Sequence, residues 1–319
     1  MNIAVIGIGL IGGSFALAMR SKGVAGRIVG VDNSAGNCKT ALEMGLVDEI
    51  MSLEEAVECS DLVVISIPVD AIPLVAVKVL NRVREGQVVI DMGSTKEELC
   101  DVIALHPNRG RFVTTHPMWG TEYSGPQAAV EGAFAGRTVV ICQSELSDDD
   151  ALARVTEIYR LLEMPVKYMD AEEHDLHAAY VSHISHITSF ALALTVLEKE
   201  LEDDHILDLA GGGFESTVRL AKSSPEMWTP IFMQNKYNIL DVLREHIHQL
   251  QVLRRMIEKD DTESLKAVMR KANGIKRVKK KKNNDMFELK REKPLIIAGP
   301  CSAETREQTL ETARRLAAT

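Results

Sequence analysis

The sequence predicts an α/β domain built on a parallel sheet, followed by an all-α domain. Three observations carry this. Continuous apolar runs alternate with amphipathic stretches from Asn2 to Met169, the pattern of strands and crossover helices. Gly7-Ile8-Gly9-Leu10-Ile11-Gly12 joins the first run to the first amphipathic stretch. From Ala171 onward the period becomes that of long helices.

In chain order, Ile3-Ala4-Val5-Ile6 reads as a buried strand and Gly13 to Met19 as a helix, with the glycine motif between them. That context makes the motif specific for a dinucleotide. Gly7 permits the turn, Gly9 lets backbone approach a pyrophosphate and Gly12 lets helix and strand pack closely. Leu10 and Ile11 then open a helix N-terminus that faces the phosphates. The strand Arg27 to Val31 ends at Asp32, a carboxylate placed for the adenosine ribose. Asn33 and Ser34 follow with no Arg, which favours NAD over NADP. A Rossmann-type domain over residues 1–168 is expected.

Helices are expected over Ala35 to Met44 and Leu53 to Cys59, and a strand over Asp61 to Ile67. Ser66 and Pro68 stand at that strand's carboxyl end, where ligands bind in open α/β sheets. Val69 to Leu80 reads as a helix and Gln87 to Asp91 as a strand. Ser94 and Thr95 in Asp91-Met92-Gly93-Ser94-Thr95-Lys96 lie just past it and suit an N-cap of the helix Lys96 to Leu105. Arg111 to Thr115 reads as a strand. His116-Pro117 is expected on a stiff loop beyond it, because Pro117 restricts both residues and Gly120, Gly125 and Pro126 force turns. A histidine held there is placed for proton transfer near neutral pH. Arg137 to Cys142, Asp148 to Leu162 and Pro165 to Met169 complete the domain as strand, helix and strand.

Residues 169–275 read as a helical substrate and dimerisation domain. Leu176, Tyr180, Ile184, Ile187, Ala191, Leu194 and Leu201 mark one face expected to be buried. His174, His177, His183 and His186 run beside it without a carboxylate or cysteine at metal-ligand spacing, so they read as helix-surface histidines and no metal is expected. Ser182 and His186, four apart, share a face that suits a pocket wall. Gly211-Gly212-Gly213 is expected to bring backbone close to a neighbour. Arg219 among apolar neighbours reads as a snorkelling residue or a carboxylate fork. One helix is expected from Pro225 to about Lys259; its two apolar stripes need two partners, which predicts a homodimer.

Composition narrows the function. A net charge of −9 argues against nucleic-acid binding, so an anionic ligand needs a local cation. Five scattered cysteines without a CxxC point to a reducing cytoplasm. The first strand begins at Asn2, which leaves no room for a signal peptide, and the apolar run Ile187 to Leu197 is too short to span a bilayer.

With these residues assembled, the chain from Met1 to about Lys276 resembles the prephenate dehydrogenase family. The resemblance rests on the glycine loop, Asp91-Met92-Gly93-Ser94-Thr95-Lys96, His116 to Gly125, His174-Asp175, Ser182 to His186, and Arg219 with Trp228, in the family's order and spacing. It implies NAD-dependent oxidation of prephenate, or of the related arogenate, with loss of CO2. It also implies that His116 takes the substrate's hydroxyl proton with Ser94 hydrogen-bonded nearby. His186, Arg219, Ser182, Glu122 and Trp228 become substrate-site residues, with Arg219 on the ring carboxylate. Departures from the family pattern fall at Trp119, Ser185 and Ser216. Rival readings are another hydroxy-acid dehydrogenase of the same architecture and a module that senses NAD without chemistry.

Residues 276–319 read as a basic linker, with Lys279 to Lys282 at its centre, and a βα fragment from Pro294 to Ala317. That fragment resembles the opening of DAHP synthase, a resemblance that would make Cys301 a metal ligand in a (β/α)8 barrel. One βα unit is far short of the ~250 residues of a barrel, so a remnant or truncated fusion without activity is expected.

Overall fold

The computed structural model describes residues 1–203 and 205–276. Its first part runs β1 (Asn2–Ile6), α1 (Leu10–Ser21), β2 (Arg27–Val31), α2 (Ala35–Glu43), β3 (Glu49–Ile50), α3 (Leu53–Cys59), β4 (Leu62–Ile65), α4 (Ile72–Leu80), β5 (Val88–Asp91) and α5 (Glu97–Ile103). Then come β6 (Phe112–Pro117), β7 (Val139–Cys142), α6 (Asp149–Leu161) and β8 (Val166–Met169). The strands make one sheet in the order β3-β2-β1-β4-β5-β6-β7-β8. Pairing is parallel except between β6 and β7.

Strand order reverses between β1 and β4, which opens a crevice at their carboxyl ends. Helices cover both faces, and the inner strands β1 and β4 are accordingly mostly apolar; Leu62 to Ile65 are fully buried. Alternate residues of β1 enter opposite cores. Ile3 and Val5 pack with Phe15, Phe134 and Tyr159. Ala4 and Ile6 pack in a cluster that also holds Trp228 and Ile231.

The helical part comprises α7 (Ala171–Ala178), a π turn (Ala179–His183), α8 (Ile184–Glu200), α9 (Gly212–Val218), α10 (Pro225–Gln234), α11 (Lys236–Glu258) and α12 (Thr262–Ala272). The chain divides into two compact units, one of Met1–His248 and one that begins at Gln249.

Several expectations are corrected. His116 lies inside β6, opposite Val140 of β7, and is buried rather than looped out; the antiparallel ladder carries the strand through Pro117. The helix expected from Pro225 breaks at Asn235, which leaves helical geometry at φ −96°, ψ 29°. The apolar run Ile187 to Leu197 belongs to a 30-residue helical stretch, Ala171–Glu200, which is long and apolar enough to cross a membrane by length and composition. Its expected buried face is largely open: Leu176, Tyr180, Leu194 and Leu201 are exposed. Among the described residues nothing lies within 4 Å of where a Cβ on Gly211, Gly212 or Gly213 would be, so these glycines open α9 without a close approach. The basic run, the βα fragment and Cys301 lie outside the described residues.

Candidate active site

The crevice between β1 and β4 is built from three glycines with different jobs. Gly7 has φ +90°, and a Cβ there would stand 2.3 Å from the Ser66 carbonyl oxygen. A Cβ on Gly12 would stand 2.1 Å from the carbonyl oxygen of Gly7. Only Gly9 faces open space. It is the N-cap of α1 and offers no side-chain cap, so the first-turn N–H groups are left to a ligand. Asp32 stands across the crevice. One carboxylate oxygen accepts the Ile8 N–H at 3.0 Å and the other the Ser34 N–H at 2.8 Å, with the Asn37 amide donating beside them.

A cavity of about 690 Å³ is lined by Gly7, Gly9, Asp32, Asn33, Ser66 and Pro68 among others. A second, of about 240 Å³, shares Gly9, Ser66 and Pro68 with it and continues past Leu10 and Ile11 to Gly93 and Ser94. The structure therefore gathers every predicted cofactor residue at one place except Gly12, which lines neither cavity and acts in helix–strand packing. Lys78, which the sequence reading passed over, lines the larger cavity. An open glycine, an uncapped helix and a fixed carboxylate fit a dinucleotide.

Beyond Ser94, a fully buried ion pair fixes the frame. Lys96 Nζ donates to Asp91 Oδ2 and to the Thr115 carbonyl at 2.8 Å. Asp91 Oδ1 accepts the Thr115 N–H at 3.0 Å, and Oδ2 accepts the Gly93 N–H at 2.8 Å. A buried pair of this kind is secured by such additional hydrogen bonds. It ties the end of β5 to the residue before His116.

His116 is 9% exposed. Its Nδ1 lies 2.8 Å from Nε2 of His174, whose Nδ1 lies 2.7 Å from Asp175 Oδ1. Asp175 Oδ1 also accepts the Lys96 N–H at 2.8 Å, and Oδ2 accepts the Glu97 N–H at 3.0 Å. Thus α5 is capped by a carboxylate from α7, and neither Ser94 nor Thr95 serves. Thr95 Oγ1 instead donates to Gln234. Ser94 lines the smaller cavity but makes no side-chain hydrogen bond among the described residues; the partner of His116 is His174. Burial, with His174, Lys96 and His183 adding to it, holds His116 well below the ordinary histidine range, so its ring is neutral near pH 7.

His174 and His183 are buried, against the surface placement expected for them. On an unbroken α-helix, residues nine apart fall on opposite sides; the π turn takes up one residue and brings them together. Asn235, at the break before α11, donates to the Asp175 carbonyl at 2.6 Å and to His183 Nδ1 at 3.1 Å. Burial pushes His183 down to about 4. His186 stacks on Trp228 with ring centres 3.4 Å apart, and its Nδ1 meets the Ser182 carbonyl at 3.1 Å. Burial lowers His186 too, and the nearby Arg219 adds to this. Arg219 itself is half exposed and donates to Glu122 at 2.7 Å. The buried indole N–H of Trp228 has no partner among the described residues. Among those residues no group of three or more His, Cys, Asp or Glu is arranged to hold a metal.

Sequence reasoning named His116, Ser94, Glu122, Ser182, His186, Arg219 and Trp228, but missed Lys96, Asn235 and the use made of His174 and Asp175. Lys96 reads as the first residue of a helix and Asn235 as one position within a longer one, and only tertiary packing buries them.

Fold and site together define a nucleotide-binding oxidoreductase with a buried histidine, which lines neither cavity but follows Thr115, the residue bonded to the Asp91–Lys96 pair. Residues 15–167 match the family model described as prephenate dehydrogenase, nucleotide-binding domain, and residues 170–271 match the prephenate dehydrogenase dimerization domain. The chain is 32% identical over 267 residues to the prephenate dehydrogenase of Bacillus subtilis (strain 168), covering 83% of this chain and 72% of that protein. It is 28% identical to a cyclohexadienyl dehydrogenase of Zymomonas mobilis, covering 83% of this chain and 91% of the other. The crystal structure of Aquifex aeolicus prephenate dehydrogenase in complex with hydroxyphenyl propionate and NAD+ superposes with a TM-score of 0.79 at 31% identity, over 88% of this chain and 98% of that one. The chain belongs to the prephenate dehydrogenase family.

Proposed function

We propose that this chain is a cytoplasmic, NAD-dependent enzyme of tyrosine biosynthesis that oxidises prephenate to 4-hydroxyphenylpyruvate with release of CO2 and formation of NADH. The observation that carries the reading is His116, a buried imidazole held neutral beside His174, in a strand whose Thr115 is bonded to the Asp91–Lys96 pair that flanks Ser94. Bound NAD supplies the hydride acceptor. The chain's own residues do the rest. The glycine turn and the N-terminus of α1 receive the pyrophosphate, and Asp32 receives the ribose hydroxyls. His116 accepts the proton of the ring hydroxyl, which promotes departure of hydride from the same carbon. Arg219 offers a forked cation to a carboxylate of the dianionic substrate, with His186 and Trp228 forming an aromatic wall beside it and Glu122 within reach of the guanidinium. Burial around His116 keeps water from competing for its lone pair.

Division of the chain near residue 168 into a cofactor part and a helical part follows from this reading, as does a homodimer. The dimerization-domain match and the exposed leucines of α8 support the latter, as do Leu240, Ile247 and Leu250 on α11. Arogenate is the second substrate to test, because one relative is described as a probable arogenate/prephenate dehydrogenase. The experiment is NADH or NADPH formation with prephenate and with arogenate. Turnover of prephenate with NAD is expected to dominate. Turnover of arogenate alone would overturn the substrate assignment, and silence with both would overturn the reaction.

A further inference from the structure

We infer that Asp175, acting through His174, sets the tautomer of His116 and so decides whether that ring is a base at all. The inference rests on the reading of His116 as the proton acceptor and concerns two residues that do not touch the reacting atoms.

Donors and acceptors can be counted along the row with His174 in its neutral form. A carboxylate accepts hydrogen bonds and cannot donate them. Asp175 already takes two backbone N–H groups, from Lys96 and Glu97. Its third contact, His174 Nδ1 at 2.7 Å, must therefore be an N–H donor. In a neutral imidazole the other nitrogen is then an acceptor. His174 Nε2 lies 2.8 Å from His116 Nδ1, so His116 Nδ1 must carry the hydrogen. Nε2 of His116 is left with its lone pair. One anion at the N-terminus of α5 thus fixes hydrogens across two rings. When the substrate O–H bond breaks and the N–H bond forms at His116 Nε2, the Nδ1–H remains on His174. The new positive charge then faces a row that ends in the Asp175 carboxylate. His174 and Asp175 are positioning residues.

Substitution can reverse the row. Asp175→Asn replaces one acceptor oxygen by an NH2 group. Set at the Oδ1 position, which faces both His174 Nδ1 and the Lys96 N–H, that group turns His174 into an Nε2–H donor; at the Oδ2 position it would face only the Glu97 N–H and leave His174 as it is. In the first orientation His116 must accept at Nδ1 and carry its hydrogen at Nε2, where the substrate proton would go. Turnover should fall roughly 10²–10⁴-fold while binding of NAD stays unchanged, as for other bases held in the wrong tautomer. His174→Gln keeps an acceptor at the reach of the lost Nε2 and should retain more turnover than His174→Leu. In the His174→Gln background, Asp175→Asn should cost far less than in the parent. A carboxylate that merely caps α5 would cost the same in both.

The deciding measurement is the two-bond 1H–15N correlation spectrum of the full-length protein with 15N-labelled histidine, with His116 assigned by its loss in His116→Asn. The expected parent spectrum shows His116 protonated at Nδ1 and unprotonated at Nε2; Asp175→Asn reverses it where the new NH2 faces His174. A parent spectrum with the hydrogen on Nε2 overturns the inference even if His116→Asn abolishes turnover. Full turnover by His116→Asn overturns the assignment of the base even if the tautomer is as stated. Should Asp175→Asn fail to fold, the parent spectrum alone decides.

Discussion

Single residues divide the chemistry. His116→Asn keeps a polar side chain but offers no basic nitrogen; turnover should drop roughly 10²–10⁴-fold with NAD affinity unchanged. The pH dependence follows from the depressed titration of His116. Because the neutral form is the active one, kcat/KM is present above the depressed value and lost as pH falls through it. The acid limb should therefore lie clearly below 6.5. A limb centred at or above 6.5 would remove His116 as its source, and His186→Asn serves as the control. Arg219 makes a different contribution. Arg219→Lys retains charge but loses the fork, so KM for prephenate should rise about tenfold or more with NAD binding untouched. An unchanged KM in Arg219→Ala would end that assignment.

Elements decide how much could be read in advance. The glycine turn was legible because each glycine answers a local constraint, and the contrast between two of them is testable. Gly12→Ala places a methyl against backbone and should cost ~3 kcal/mol or more of stability. Gly9→Ala points into open crevice, so it should fold with a near-parental melting temperature while weakening NAD at least roughly tenfold. Equal loss of stability in both would contradict the geometry. Strands with continuous apolar runs were legible for the same local reason. The break at Asn235 and the π turn at Ala179–His183 were not. Asn235 leaves the helix to satisfy buried groups on α7 and at His183, contacts separated by more than fifty residues. A π turn has no composition signal, so a regular 3.6-residue period put the histidines on the wrong faces. His116 was placed one structure type too far along, because His-Pro reads as a loop until an antiparallel neighbour is known.

At the scale of the whole molecule, buried neutral histidines tie stability to acidity. His183 titrates near 6.5 when unfolded and at about 4 when folded. Between those values the unfolded chain binds a proton that the folded chain does not, so stability falls as pH drops through that window. His183 alone accounts for roughly 3 kcal/mol, and His116 shifts in the same direction. The melting temperature should decline steadily from pH 7 to 4.5, and less steeply in His183→Asn. A flat profile would mean that neither ring is buried neutral.

The carboxylate that α7 lends to α5 has a consequence in amide exchange. Among the described residues the N–H groups of Lys96 and Glu97 are held by Asp175 alone, so their hydrogens reach solvent when α7 lifts away. The same opening removes the partner of His116. The exchange rates of two backbone amides therefore measure, in the resting enzyme and without substrate, the fraction of time the molecule spends unable to react.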